Sequence, residues 1–325
     1  MTVFIIRRLM QSAVVVLLMS FLVFVGVNLV GDPVEMLINP ESDQAEIDRV
    51  MKSMGLDKPW YVQYGLFLVN AFKGDLGNSF IYGEPALQII VQRIPATFEL
   101  ALVALLMAII IGIPFGVYAG LKPKTTLSKT IMAGSILGFS LPTFWVGLMF
   151  IMVFAVMLGW LPSTGRGDTV PFMGLDVSFL TMDGLTHLLL PALNLALFKI
   201  SLVTRLARAG TREVVHQDYI KFARAKGLSQ NRVIFVHLMK NILIPVVTVL
   251  GLEFGGLIAF SVVTETVFAW PGMGKLIIDS IQNLDRPVVV AYLMIIVVIF
   301  VIINLVVDVL YSILDPRVRL QDVKG

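Results

Sequence analysis

Of the 325 residues, 57% are hydrophobic and only 14% charged, with a mean hydropathy of +0.88, whereas an average soluble domain is about 45–50% apolar and about 25% charged. So little charge leaves long windows without any ionic group, which excludes an ordinary soluble domain and marks a polytopic membrane protein. The net charge of +3 is not gathered into a basic soluble module, which argues against nucleic acid as a partner, and the lack of cysteine excludes disulfides, thiolate metal sites and a cysteine nucleophile.

In chain order, the first element is the charge-free run Leu9–Val30. It is long enough to span, and no small-x-small cleavage site follows, so it reads as a retained helix and not a signal peptide. Residues 31–96 form a soluble-looking excursion with acids such as Asp43, Glu46 and Asp48. Amphipathic pattern near Ala45–Met54 and Trp60–Phe72, punctuated at Gly31-Asp32-Pro33, Lys58-Pro59 and Gly74-Asp75, predicts short helices separated by turns. A hydrocarbon core takes about 20 apolar residues of helix. Five further windows qualify: Thr97–Leu121, Ile131–Leu158, the shorter Leu185–Val203 with Lys199 inside it, Ile242–Thr264 and Pro287–Leu310. The resulting division is a first span with its excursion (1–96), a five-helix core (97–312) interrupted by a polar loop at 205–241, and a tail (313–325).

Orientation follows from where lysine and arginine fall. The N-terminus, the loop after the second span, the 205–241 loop and the tail together hold 16 of them, including Arg7, Arg8, Lys122, Lys124, Lys129 and Arg317. The alternate loops are longer yet hold 8. Both termini are therefore expected on the cytoplasmic side, with residues 31–96, about 159–184 and 266–286 outside.

Candidate chemistry is sparse. "WPGMGKLI" (270–277) lacks the spacing of a phosphate-binding loop. His187, His216 and His237 form no metal-binding motif, so no catalytic residue, metal site or bound cofactor is expected. Lys199, Glu253, Glu265 and Asp308 lie within or near spans, where a charge costs roughly 2.5–3.5 kcal/mol at a helix centre. Lys199, Glu265 and Asp308 are near enough to span ends to snorkel; Glu253 is deep, and reads as lining a cavity or, in an ion-coupled carrier, as a relay. Gly112, Gly116 and Gly120, and the pairs Gly134/Gly138 and Gly251/Gly255, permit close helix approach. Pro114, Pro142 and Pro245 mark kinks or span ends.

The segment "YIKFARAKGLSQNRVIFVHLMKNILIPV" is basic and lies in the 205–241 loop and the start of the next span. Arg205, Arg208 and Arg212 repeat at i, i+3 and i+7, which continues the fourth span as helix. "DYIKFARAKGL" predicts a short helix with Gly227 as its stop, and Pro245 opens the fifth span. A basic helix lying on the membrane would set large apolar residues opposite its charges. Here Ala223, Ala225 and Gly227 are interleaved with Arg224 and Lys226, which suits docking into a protein groove.

This segment resembles the cytoplasmic loop of ABC-importer permeases, in the form seen in the dipeptide, oligopeptide and nickel branch. The match is Ala223-Arg224-Ala225-Lys226-Gly227 with Pro245 downstream; alanine stands where the general motif has glutamate, and the glycine-to-proline interval is longer. "GDP" (31–33), "GLDKP..VQY" (55–64), "GDLGNS" (74–79), "RIPATFEL" (93–100), "TETVFAWPGMGKL" (264–276) and "DPRVR" (315–319) are similar to the first-permease type of that branch, although Val30 replaces a common proline.

The resemblance implies an all-α, six-span type I permease of a bacterial cytoplasmic (inner) membrane. It implies pairing with a homologous second permease, two cytosolic ATPase subunits that carry ATP and magnesium, and a periplasmic binding protein that delivers di- or oligopeptides or a related solute. Tyr219, Ala223, Arg224, Ala225, Lys226, Gly227 and Leu228 would couple to the ATPase. Glu253, Thr264, Glu265, Phe268 and Trp270 are candidates for the pathway or its gate, the last four also fitting a membrane-interface cluster. An ion-coupled carrier built on Glu253, and a membrane scaffold without a pathway, are the alternatives.

Overall fold

The computed structural model describes residues 2–29 and 57–314. The expected helix at Ala45–Met54, the Gly31-Asp32-Pro33 turn and the "DPRVR" segment lie outside the described residues.

Helices dominate the described residues. They are α1 (Thr2–Leu29), α2 (Trp60–Phe72), α3 (Ala86–Leu121), α4 (Thr126–Ser140), α5 (Thr143–Phe150), α6 (Met182–Val214), α7 (Asp218–Ala225), α8 (Met239–Val267), α9 (Met273–Gln282) and α10 (Arg286–Leu314). Five windows are long and apolar enough to cross a membrane: Ile6–Gly26, Ala86–Leu121, Met182–Val214, Pro245–Val267 and Arg286–Val309. The sixth expected span, Ile131–Leu158, is not one straight helix. Thr126–Ser140 and Thr143–Met157 meet at 110°, because Leu141 and Pro142 are both extended (ψ 137° and 131°). A proline forces the residue before it out of the helical region. The second half of the bent pair, Ile151–Met157, then winds as a π-helix.

One other expectation shifts. The fourth span is longer than Leu185–Val203, since α6 runs unbroken to Val214 and carries Arg205, Arg208 and Arg212 with it. Pro245 opens the apolar span Pro245–Val267, as expected, although α8 itself begins earlier, at Met239; a π-helical stretch, Val233–Leu238, leads into that helix. The 159–184 loop contains a small antiparallel hairpin, Val170–Phe172 with Leu175–Val177. Its two turn residues, Met173 (φ 51°) and Gly174 (φ 81°), both have positive φ, as the tightest hairpin loops require.

The described chain divides into two compact units. The first comprises Met1–Gln92 with Leu276–Ile302. Within it α1 packs on α2 through Phe21 and Phe24 against Trp60, Tyr64 and Phe67, and Ser20 Oγ hydrogen-bonds Tyr64 Oη at 2.9 Å. The Gly74–Ser79 turn uses left-handed glycines at 74 and 77. Buried Asp285 anchors the end of that turn: it accepts the Ser79 hydroxyl and, at 3.1 Å, the Phe80 N–H.

The second unit comprises Arg93–Lys275 with Ile303–Gly325, and its central contact is a glycine seam. A Cβ on Gly112 would lie 2.8 Å from Val203, one on Gly116 would overlap the Thr204 carbonyl oxygen, and one on Gly120 would lie 2.5 Å from Thr211. α3 and α6 therefore meet backbone to side chain along two turns, as small residues at four-residue spacing permit. Gly138 likewise sits against Ser201 and Leu197, and Gly251 against Val307, whereas nothing lies within 4 Å of a Cβ on Gly134.

Substituting Gly116→Val should cost about 1–3 kcal/mol through overpacking, seen as a lower thermal midpoint and lower monodisperse yield in detergent. Gly134→Ala, facing open space, should change neither; equal effects at both sites would contradict the seam.

Candidate functional site

The loop that the sequence singled out folds as expected and is fixed firmly. α7 ends in a paired C-cap: Gly227 N–H donates to the Arg224 carbonyl at 2.9 Å and Leu228 N–H to the Ala223 carbonyl at 3.3 Å. This closure needs a left-handed residue, and Gly227 has φ +76°. One face of the helix is buried. Ile220 and Ala223, with Leu228 beside them, join Ile113 and Val117 of α3, Val203 and Ala207 of α6, and Ile242, Val246 and Leu250 of α8 in one apolar cluster.

The other face is open. Tyr219 and Phe222 are 43% and 61% exposed, and Arg224, Ala225, Lys226 and Gly227 are exposed with them. Lys226 Nζ stands 4.6 Å from the centre of the Phe222 ring. Asp218 bonds Lys221 at 2.9 Å, which holds its carboxyl below the ordinary aspartate range; such an exposed pair adds little stability. Of the seven predicted coupling residues, Ala223 and Leu228 thus anchor the helix, and the other five are presented outward.

The second predicted group, Thr264, Glu265, Phe268 and Trp270, is buried with relative exposures of 1% or less. Glu265 organises it. Its carboxylate accepts Thr97 Oγ1 and Ser261 Oγ, both at 2.8 Å, and Lys275 N–H at 3.0 Å in the first turn of α9. Thr97 in turn accepts Met273 N–H at 2.8 Å. Trp270 Nε1 donates to the Ala96 carbonyl at 2.9 Å, and Thr264 Oγ1 accepts Asn194 Nδ2 at 3.0 Å. Both glycines of "WPGMG" sit too close for a side chain: a Cβ on Gly272 would overlap Glu265 Oε2, and one on Gly274 would lie 2.6 Å from Val262 Cα and 2.9 Å from Glu265 Oε2. Glu265 is therefore fully enclosed and does not snorkel.

A second buried carboxylate, which the sequence did not single out, lies half a turn further along α3. Glu99 Oε2 accepts Arg166 Nη2 at 2.6 Å and Nε at 3.1 Å. Its Oε1 accepts Ser178 N–H, Ser178 Oγ and Phe179 N–H at 2.7–2.8 Å. Gly165 N–H donates to the Phe268 carbonyl at 2.9 Å, and the Arg166 guanidinium lies 5.8 Å from the Trp270 ring. The 159–181 and 268–275 loops are thus both fastened to the start of the α3 core, and to each other. No local motif betrays Glu99; "RIPATFEL" carried both anchors, Thr97 and Glu99, without showing their partners.

Glu253 stands apart from this cluster and pairs with Lys199 of α6. Among the histidines, His187 contacts the Asp183 carbonyl at 2.9 Å, His216 is exposed and His237 half-buried. The three do not come together.

Replacing Glu265 by leucine takes the carboxylate acceptor from the buried Thr97 hydroxyl and the part-buried Lys275 N–H, at about 1–3 kcal/mol each, while Ser261 keeps the Ile258 carbonyl; glutamine keeps one acceptor oxygen. Thermal midpoints in detergent should fall in the order wild type, Glu265→Gln, Glu265→Leu; a leucine variant as stable as wild type would contradict the enclosed role.

Residues 112–320 match the family of binding-protein-dependent transport system inner membrane components, and residues 1–101 match the N-terminal family of the same membrane component. The oligopeptide transport system permease protein AppB of Bacillus subtilis (strain 168) is 41% identical over 321 residues, 98% of this chain and 100% of that protein. The di/tripeptide transport system permease protein DppB of Pseudomonas aeruginosa (strain UCBPP-PA14) is 40% identical over 318 residues, 93% of this chain and 94% of that protein. A chain of the MetNI methionine ABC transporter, in an inward-facing crystal form, superposes with a TM-score of 0.56 at 18% identity, covering 71% of this chain and 99% of that one. That likeness shows the fold. The long helices, the bent pair and the family match over both halves lead to one conclusion: this chain is a multi-pass membrane protein that belongs to the binding-protein-dependent transport system inner membrane component family.

Proposed function

We propose that this chain is one of two permease subunits of an ATP-driven importer that takes up di- or oligopeptides handed over by a binding protein. The observation that carries the reading is α7, buried on one face in the cluster of α3, α6 and α8 and bare on the other. A lever has this form: its exposed residues meet a partner, and its buried residues meet the helices that must move. Rigid coupling elements of this kind turn a small displacement into a switch, because packed cores are bistable and not continuously deformable.

The remaining parts follow from the family and from charge. Two cytosolic ATPases bind ATP and magnesium and dock at Tyr219, Arg224, Ala225, Lys226 and Gly227. The lysine and arginine asymmetry supports cytoplasmic termini, and the family supports a bacterial inner membrane. The loops tied to Glu99 and Glu265 then face outward, where Thr264, Phe268 and Trp270 brace the gate beneath the binding protein. The names of the relatives support peptides as the solute class.

Ala225 is exposed, so Ala225→Asp should insert and fold normally while setting a carboxylate on the docking face. It should abolish copurification of the ATPase, or uptake, and Gly227→Asp should do the same. Uptake at the wild-type rate in a well-inserted Ala225→Asp variant would overturn the coupling assignment.

A further inference from the structure

The Lys199–Glu253 pair does not serve the loop scaffold or the coupling cluster. Lys199 and Glu253 stand at the middle of α6 and α8. The two partners differ in exposure: the lysine side chain is 9% exposed and the glutamate 35%. Lys199 is enclosed, with its ammonium also 5.1 Å from the Phe198 ring, while the carboxylate bonded to it keeps an open edge. A half-open carboxylate at the middle of a span is not tolerated against hydrocarbon, which offers it no hydrogen-bond donor, so that face of α8 meets water or protein.

The surroundings have the form of a small cradle. Glu253, Gly256 and Phe260 follow at i, i+3 and i+7 and share one face of the helix. A Cβ on Gly256 would lie 3.9 Å from Glu253 Oε2 and 4.0 Å from the Phe260 ring, so the glycine is the floor between a carboxylate and an aromatic ring. Phe260 is 76% exposed. A carboxylate beside an aromatic ring is a pairing that recognises an ammonium group. Resting on the peptide-importer reading, we infer that this cradle lines the pathway and receives the free α-ammonium of a peptide in transit. Lys199 is the positioning residue that holds the Glu253 carboxylate in place.

The test uses the whole transporter, purified with its partner subunits, reconstituted in proteoliposomes and supplied with its binding protein and labelled tri-alanine. The double variant K199M/E253Q removes both charges together, so neither is left buried alone. It should assemble and hydrolyse ATP, yet take up tri-alanine about ten-fold more slowly, the loss expected for one hydrogen bond to a charged group. The swap K199E/E253K keeps the pair but turns an ammonium toward the cradle, and should be slower still. Gly256→Leu fills the floor and should reduce uptake with the pair intact. Uptake within two-fold of wild type in all three assembled variants overturns the inference and leaves the importer reading standing. A wild-type complex that takes up no tri-alanine on addition of ATP overturns both.

Discussion

Three glycines at four-residue intervals bring α3 against α6 at a separation that no side chain would allow, and the helices so joined carry both the buried loop anchors and the seat of α7. In hydrocarbon, helices gain nothing from burying apolar surface against each other, so close van der Waals packing is what fixes one helix on the next. The seam also aligns what the two helices carry. At one end are Thr97 and Glu99 of α3, and at the other are Val203 and Ala207 of α6, which lead into the cluster that seats α7. Displacing α7 therefore loads the same helices whose far ends hold the loops.

The buried polar groups of this unit fall into two kinds. Glu99 and Glu265 are saturated: five donors converge on the first, and three on the side chain of the second, all within 3.1 Å. A carboxylate so supplied organises its surroundings, because removing it takes an acceptor from several donors at once. Gly272 lets the loop close on Glu265, and Gly274 lets it close on the Val262 backbone beside that carboxylate. Glu253 is the other kind, with one strong partner and an open edge. Satisfied carboxylates hold loops in place, whereas the half-open one keeps room for a further donor.

Much of this was legible in the sequence, for local reasons. Span positions follow from windows of about 20 mostly apolar residues, the helix stop at Gly227 from a requirement for positive φ, and the seam from small residues four apart. The break at Leu141-Pro142 was marked by the proline, but its 110° bend was not, since a proline in a span is as compatible with a mild kink. The long-range contacts stayed hidden. Arg166 and Glu99 are 67 residues apart, Ser79 and Asp285 206 apart, and no spacing rule links them. Thr264, Glu265, Phe268 and Trp270 were visible as a polar–aromatic motif, yet their enclosure depended on Thr97 and Ala96 from a different helix.

The central claim is that this chain works as a permease subunit and not alone. It is tested most directly by tagging it in its native membrane, purifying it in mild detergent and identifying by mass spectrometry the proteins that come with it. The account predicts a second, homologous permease and one or two ATPase chains in stoichiometric amounts. Recovery of a stable, monodisperse chain without either partner would contradict it.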